Sequence, residues 1–223
     1  MATTATVTKE RLSRETLAAG ALALADREGI EAVTIRRLAT DNSVTPMALY
    51  WHFKDKDAVL DGIAEQIYAS VVLPEPTEQP WDVQLRAVLQ AVLAAIRPHP
   101  LAADLLAPRV MKSEAGLILA ERVIGMLRNA GFSAQDATQT ASFLLCSIVT
   151  LVTSEPGRHA PGSDEVQDDL QRTKRAQLDS LSPKQFPFLR ESTRFFLECD
   201  DEESYFAGGM DFLIAGVRGV RPR

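Results

Sequence analysis

Between Ser13 and Val72 the chain is cut into four short apolar-faced stretches by residues that start and stop helices. Leu17, Ala21, Leu24 and Ala25 recur at helical spacing, with Ser13 placed to cap the start and Gly29 to stop the end. Thr34 caps a second stretch whose inner face is Ile35, Leu38 and Ala39, and Asp41-Asn42-Ser43 reads as a turn. Thr45-Pro46 then joins an N-cap to a proline at the first helical position, where the missing N–H costs nothing. A very short helix follows, from Met47 to about Trp51. The next begins near residues 54–56 and carries Leu60, Ile63 and Ile67 inward. Three short helices and then a fourth, with a tight turn between the second and third, are the layout of a helix-turn-helix unit.

Beyond Val72 the periodicity stays helical. Residues 73–80 contain three prolines and read as a linker. Leu85, Val88, Leu89, Val92, Leu93 and Ile96 predict a long helix that Pro98 and Pro100 break, with at most a short helical stretch over 101–108. A further helix is expected over Ser113 to Asn129, ending at Gly131, and Ser133 to Asp136 resembles a capping box. The helix that follows is apolar nearly all round from Phe143 to Val152, which means burial on several sides. Residues 154–165 read as a mobile loop, 166–181 as a weaker helix, and 189–198 and 201–217 as a last helix in two pieces. Asp200 to Glu203 supply negative charge at the start of the second piece. No strand alternation of useful length appears, and the apolar residues are mostly Ala, Leu and Val with only 6% aromatics, so the fold class is all-α. The expected organisation is an arm over 1–12, a DNA-unit-sized domain over 13–72, a linker over 73–80 and a larger helical domain over 81–223.

Two cysteines, Cys146 and Cys199, and three histidines, His52, His99 and His159, make neither a disulfide scaffold nor a plausible zinc site. A reducing compartment, the cytoplasm, is expected, with no metal, no cofactor and no membrane partner. The longest apolar run, Phe143 to Val152, is too short to span a bilayer, and residues 1–11 lack the apolar stretch of a signal peptide. The net charge is −6, so any contact with nucleic acid must be local. No GxSxG, phosphate loop or HExxH is present, and an enzyme is not expected.

The most specific segment is Leu49-Tyr50-Trp51-His52-Phe53, followed by Lys54 and an aliphatic helix. With Gly29-Ile30-Glu31, Thr34 and Arg36-Arg37-Leu38-Ala39 upstream, it resembles the DNA-binding domain of the tetracycline-repressor family of transcriptional regulators. Gly131-Phe132-Ser133 and Gly209, Ile214 and Gly216 extend the resemblance, more loosely, to that family's core domain. It implies a repressor that binds a near-palindromic operator as a homodimer and leaves it when a small effector binds. The residues agree with that implication. Thr45, Pro46, Met47 and Ala48 form the first turn of the recognition helix; threonine can hydrogen-bond, and Met47 and Ala48 can meet thymine methyls. Arg36 is the best candidate for reading guanine, and Thr34, Tyr50, Trp51, His52, Lys54 and Lys56 are placed for phosphates. Leu49 and Phe53 are core. Over 34–56 the charges leave +2, which is modest. Ser43 stands where the family often has glycine, and Pro46, Met47 and Ala48 depart from the readers of the tetracycline operator.

The resemblance also implies an effector pocket within residues 80–200. The tetracycline-binding members use histidines there, and this chain has Val72 and Cys146 at two of those positions, leaving His99 near the pocket region. A magnesium-chelated tetracycline is therefore not expected. Leu105, Met111, Phe143, Cys146, Thr150, Phe186 and Phe188 are the expected lining, suited to a fairly hydrophobic effector. Gly208-Gly209 inside an apolar helix suggests close helix approach across a dimer interface, with Phe206, Gly209, Met210, Leu213 and Ile214 on it. The alternatives are an operator-binding regulator without small-molecule control and a helical enzyme.

Overall fold

A computed structural model describes residues 13–156, 164–198 and 201–220. The arm over 1–12, His159, Cys199, Asp200 and the middle of the 154–165 loop lie outside the described residues. Among the described residues all regular structure is helical. In chain order the α-helices are α1 (Arg14–Glu28), α2 (Ile35–Asp41), α3 (Pro46–Tyr50), α4 (Lys56–Ala69), α5 (Trp81–Ile96), α6 (Glu114–Asn129) and α7 (Ala134–Thr153). They continue with α8 (Asp164–Asp179), α9 (Pro187–Glu191), α10 (Thr193–Leu197) and α11 (Glu202–Gly219). Short 3-10 helices cover Ile30–Ala32, Ala103–Leu105 and Ala107–Lys112.

The starts of these helices are made by side chains. Ser13 accepts from the Thr16 amide, Thr34 from Arg37, Thr45 from Ala48, Asp55 from Ala58 and Ser133 from Asp136. Each satisfies an amide that the first turn leaves without a partner. Between α2 and α3 the chain turns at Ser43 with φ 53°, a left-handed conformation that costs an L-residue about 1–2 kcal/mol.

Leu17, Leu24, Leu38, Leu49, Phe53, Ile63 and Ile67 are fully buried where α1 packs on α4 with α2 and α3 beside them. The second layer is a bundle of α5, α6, α7 and α11, whose inner residues include Leu85, Ile96, Leu127 and Ile148. The helix α4 belongs to both, because it also packs on α5 and α6. Ion pairs fasten α11 along α5: Arg97 meets Glu202 at 2.9 Å and Glu203 at 2.7 Å, and Arg86 pairs with Asp211 and Arg218 with Asp82. By contrast, α8 packs on α9 and α10 and makes little contact with the bundle.

The whole of α7, at 20 residues, is long and apolar enough to cross a membrane, although its 143–152 core is not. Its buried residues, among them Leu144, Ile148 and Val152, pack instead against α5, α6 and α11.

Candidate DNA-reading face and effector cavity

The helix-turn-helix presents one face with few internal commitments. Thr34, Arg36, Thr45, Pro46, Met47, Tyr50, Trp51 and Lys54 are exposed, and Ala48, His52 and Lys56 are half-buried. Trp51 is 85% exposed and points outward, while Leu49 and Phe53 are sealed in the core. Thr34 and Thr45 each accept one backbone amide, so each hydroxyl keeps its own proton for an outside acceptor. The two neighbouring arginines differ. Arg37 is bidentate to Glu28 and also bonds Asp41, and these hydrogen bonds, Glu28's foremost, raise its pKa and hold it charged. Arg36 has no ion-pair partner among the described residues. Lys54 lies 3.9 Å from Asp55, Lys56 3.7 Å from Glu31, and Arg37 is paired with Glu28; the last two carboxylates stand outside residues 34–56, so the free positive charge of this face is smaller than the count over 34–56 suggests.

A cavity of about 260 Å³ opens between α5, α6, α7 and the 3-10 segment Ala107–Lys112. Val92, Val110, Met111, Val123, Leu145 and Ile148 are among its walls. Of the expected lining only Met111 is present. Leu105 is packed in the core, because its 3-10 turn faces inward. Phe143, Cys146 and Thr150 sit on the opposite, outward face of α7, beside Tyr205, in a shallow groove against α11. Phe186 and Phe188 belong to the α8–α10 arm, with Phe188 exposed. The cavity is made of short aliphatic side chains, and a helix apolar all round gives no sign of which face looks inward. His99 is not in the cavity either: its Nδ1 lies 2.8 Å from Asp26 Oδ2, tying the end of α5 to α1. Among the described residues no three His, Cys, Asp or Glu side chains gather as a metal site.

The 3-10 segment joins this cavity to the DNA unit. A 3-10 helix has three residues per turn, so Arg109 and Lys112 stack on one edge while Val110 and Met111 face elsewhere. Arg109 reaches Asp57 at 2.6 Å and Asp61 at 3.1 Å, and Lys112 reaches the same carboxylates at 3.0 and 3.3 Å. Lys112 foremost, then Arg109, holds the Asp57 carboxyl below its ordinary range. Beside this cluster Tyr68 of α4 donates a hydrogen bond of 2.8 Å to the Leu106 carbonyl. Nothing in the local sequence signals these pairs, which are about 40 to 55 residues apart.

On α11, Phe206, Met210 and Ile214 are buried in their own bundle against α5 and α7 and so are not free to meet another copy, while Leu213 is half-buried. Gly209 does mark a close approach, but within the chain: a Cβ there would lie 2.4 Å from Leu151 of α7. The outward face of α11 instead carries Phe212, 84% exposed, with Gly208 and Gly216 beside it on open space.

Comparison with known proteins agrees with this architecture. Residues 17–63 match the family described as bacterial regulatory proteins, tetR family, and residues 73–221 match the tetracyclin repressor-like, C-terminal domain. An HTH-type transcriptional regulator of Saccharopolyspora erythraea is 26% identical, over 94% of this chain and 86% of its own length. The tetracycline repressor protein class C of Escherichia coli is 28% identical, over 95% of this chain and 93% of its own. The crystal structure of the Streptomyces coelicolor TetR family protein ActR in complex with actinorhodin superposes with a TM-score of 0.73. It is 25% identical and covers 93% of this chain and 97% of that one. The domain order, the exposed helix-turn-helix face and the match over nearly the full length lead to one assignment: the chain belongs to the tetracycline-repressor family of transcriptional regulators and is not an enzyme.

Proposed function

We propose that this regulator is a repressor that binds a near-palindromic operator as a homodimer, in the cytoplasm, and is released when a small, fairly hydrophobic molecule fills the cavity between α5, α6 and α7. Residues 13–72 serve as the DNA unit and 81–223 as the effector and dimerisation domain. The observation that carries the reading is the 3-10 segment Ala107–Lys112, which lines the cavity with Val110 and Met111 and grips α4 with Arg109 and Lys112. A molecule that displaces Val110 and Met111 also shifts the grip on α4, and α4 carries the helix-turn-helix with it. To release the operator almost completely, the effector must favour the non-binding arrangement by about 10⁴-fold, or ~5.5 kcal/mol.

Recognition falls to Thr45, Pro46, Met47 and Ala48 at base edges, with Arg36 reading a guanine. Thr34, Tyr50, Trp51, His52, Lys54 and Lys56 hold the phosphates. The outward faces of α7 and α11, with Phe143 and Phe212, pair the two subunits, and the α8–α10 arm has apolar surface left for the partner. Pairing sets the two recognition helices about 34–36 Å apart, one turn of the duplex. Selection from a random duplex library tests this. A two-fold symmetric site is expected, and Arg36→Ala should weaken binding to it by about 1–3 kcal/mol and relax one position. Tyr50→Phe should reduce affinity alike for all sequences. An absence of any enriched site from refolded, effector-free dimer refutes the operator reading.

A further inference from the structure

The cavity's polar edge has an unusual restriction. Among the described residues, Thr138 and Ser142 are its only polar side chains and no charged residue lines it. The Thr138 hydroxyl donates to the Ala134 carbonyl at 2.9 Å, and the Ser142 hydroxyl donates to the Thr138 carbonyl at 3.0 Å. Both residues are exposed, at the cavity's rim, and with each proton given to the helix the hydroxyls present lone pairs there. They stand one helical turn apart on one face of α7, which makes a pair of acceptors about 5–6 Å apart. The backbone amides of this part of α7 are committed to the helix. The nearest positive charges on the wall segment, Arg109 and Lys112, are engaged by Asp57 and Asp61.

We propose that the cavity takes a neutral, largely apolar molecule that donates a hydrogen bond, from a hydroxyl or an N–H, to Thr138 or Ser142. The inference rests on the reading of this cavity as the effector site and names the class of effector. A carboxylate or phosphate seated among the aliphatic walls loses water and meets no donor, and an ammonium there meets no countercharge. A ligand whose polar atoms only accept is also unmatched. At about 260 Å³ the space falls just below the ~300–1,000 Å³ of sites for drug-sized ligands, so one or two rings fit. Met111 at its wall gives a soft surface for an aromatic ring.

The test is calorimetric titration of the effector-free full chain with three probes of one shape: beta-naphthol, its methyl ether and the naphthoate anion. The naphthol should bind about fivefold or more tightly than the ether, the effect of one hydrogen bond, and the naphthoate not measurably. In the double variant Thr138→Val, Ser142→Ala the naphthol should fall to the affinity of the ether. The ether's own affinity, unchanged by the variant, shows that the cavity is intact. An ether that binds as well as the naphthol, a naphthoate that binds best, a naphthol unaffected by the variant, or no binding of any probe at about 1 mM overturns the proposal. A naphthol that binds as stated yet leaves operator affinity unchanged supports the ligand class and overturns the effector reading.

Discussion

Replacing Tyr68 with phenylalanine isolates one contact between the DNA-bearing helix and the cavity wall. The phenol is 3% exposed and its hydroxyl is 2.8 Å from the Leu106 carbonyl. That carbonyl also accepts the Arg109 amide at 2.9 Å, so removing the hydroxyl does not leave it without a partner. The loss is therefore that of one net hydrogen bond, about 1 kcal/mol, and not the larger penalty of an orphaned buried group. For a chain of this size that lowers the melting temperature by about 2–4 °C at neutral pH. Burial raises the phenol's pKa well above its ordinary value of 10.0. In the unfolded chain it ionises near pH 10 while in the folded protein it stays neutral. Its stabilising contribution is thus complete below pH 10 and falls above it, by about 1.4 kcal/mol per pH unit. Wild type should be the more stable protein at pH 7, and Tyr68→Phe the more stable at pH 11. Every other titrating group cancels in the difference between the two denaturation curves. Curves that stay parallel from pH 7 to pH 11 refute the buried, hydrogen-bonded phenol.

Other positions give sharper contrasts. Asp57→Asn with Asp61→Asn should leave cavity binding intact while making operator affinity insensitive to ligand, as read by fluorescence anisotropy. Since the Asp57 pKa is lowered, mainly by Lys112, the wild-type coupling should hold above the ordinary carboxylate value of 3.8 and disappear on acidification below it. Neighbouring glycines should respond differently. Gly208→Ala meets nothing within 4 Å and should gain up to about 1 kcal/mol of helix propensity, whereas Gly209→Ala has the same gain but must push the Leu151 methyls aside, and should be the less stable of the two by about 1–3 kcal/mol in thermal denaturation. Ser43→Gly should raise the melting temperature, by relieving a left-handed residue worth about 1–2 kcal/mol. In sedimentation, Phe212→Asp should shift a folded dimer toward monomer, and an undisturbed dimer would exclude that face of α11 from the interface.

Much of the scaffold was legible in the sequence because helix starts are local chemistry. Ser13, Thr34, Thr45 with Pro46, and Ser133 sit where their side chains accept the free amides of the first turn. At the turn, the resemblance pointed to position 43, where the family often has glycine, and Ser43 there is left-handed. The lining of the cavity was not legible. Aromatic and sulfur-bearing residues drew the expectation toward Phe143, Cys146, Phe186 and Phe188, yet apart from Met111, Thr138 and Ser142 the cavity is walled by Val, Leu, Ile and Ala. The same cause misassigned α11: Phe206, Met210 and Ile214 are the more hydrophobic stripe, and the stripe that packs best is taken by the subunit's own core. In a helix apolar on all sides, periodicity does not say which side meets which neighbour. The pairing of Arg109 with Asp57 depends on tertiary folding and has no counterpart in local spacing.

The three-residue turn of Ala107–Lys112 has a consequence for redesign. Over its last four residues the two cavity-facing side chains, Val110 and Met111, are flanked by the two that grip α4, Arg109 and Lys112, and no position serves both. If the cavity is the effector site proposed above, substitutions at Val110 and Met111 should change which compound is sensed, while those at Arg109 and Lys112 should change how much of it is needed to release the operator. On that reading, a reporter built on this chain would have separate dials for selectivity and threshold, set side by side on one short 3-10 helix.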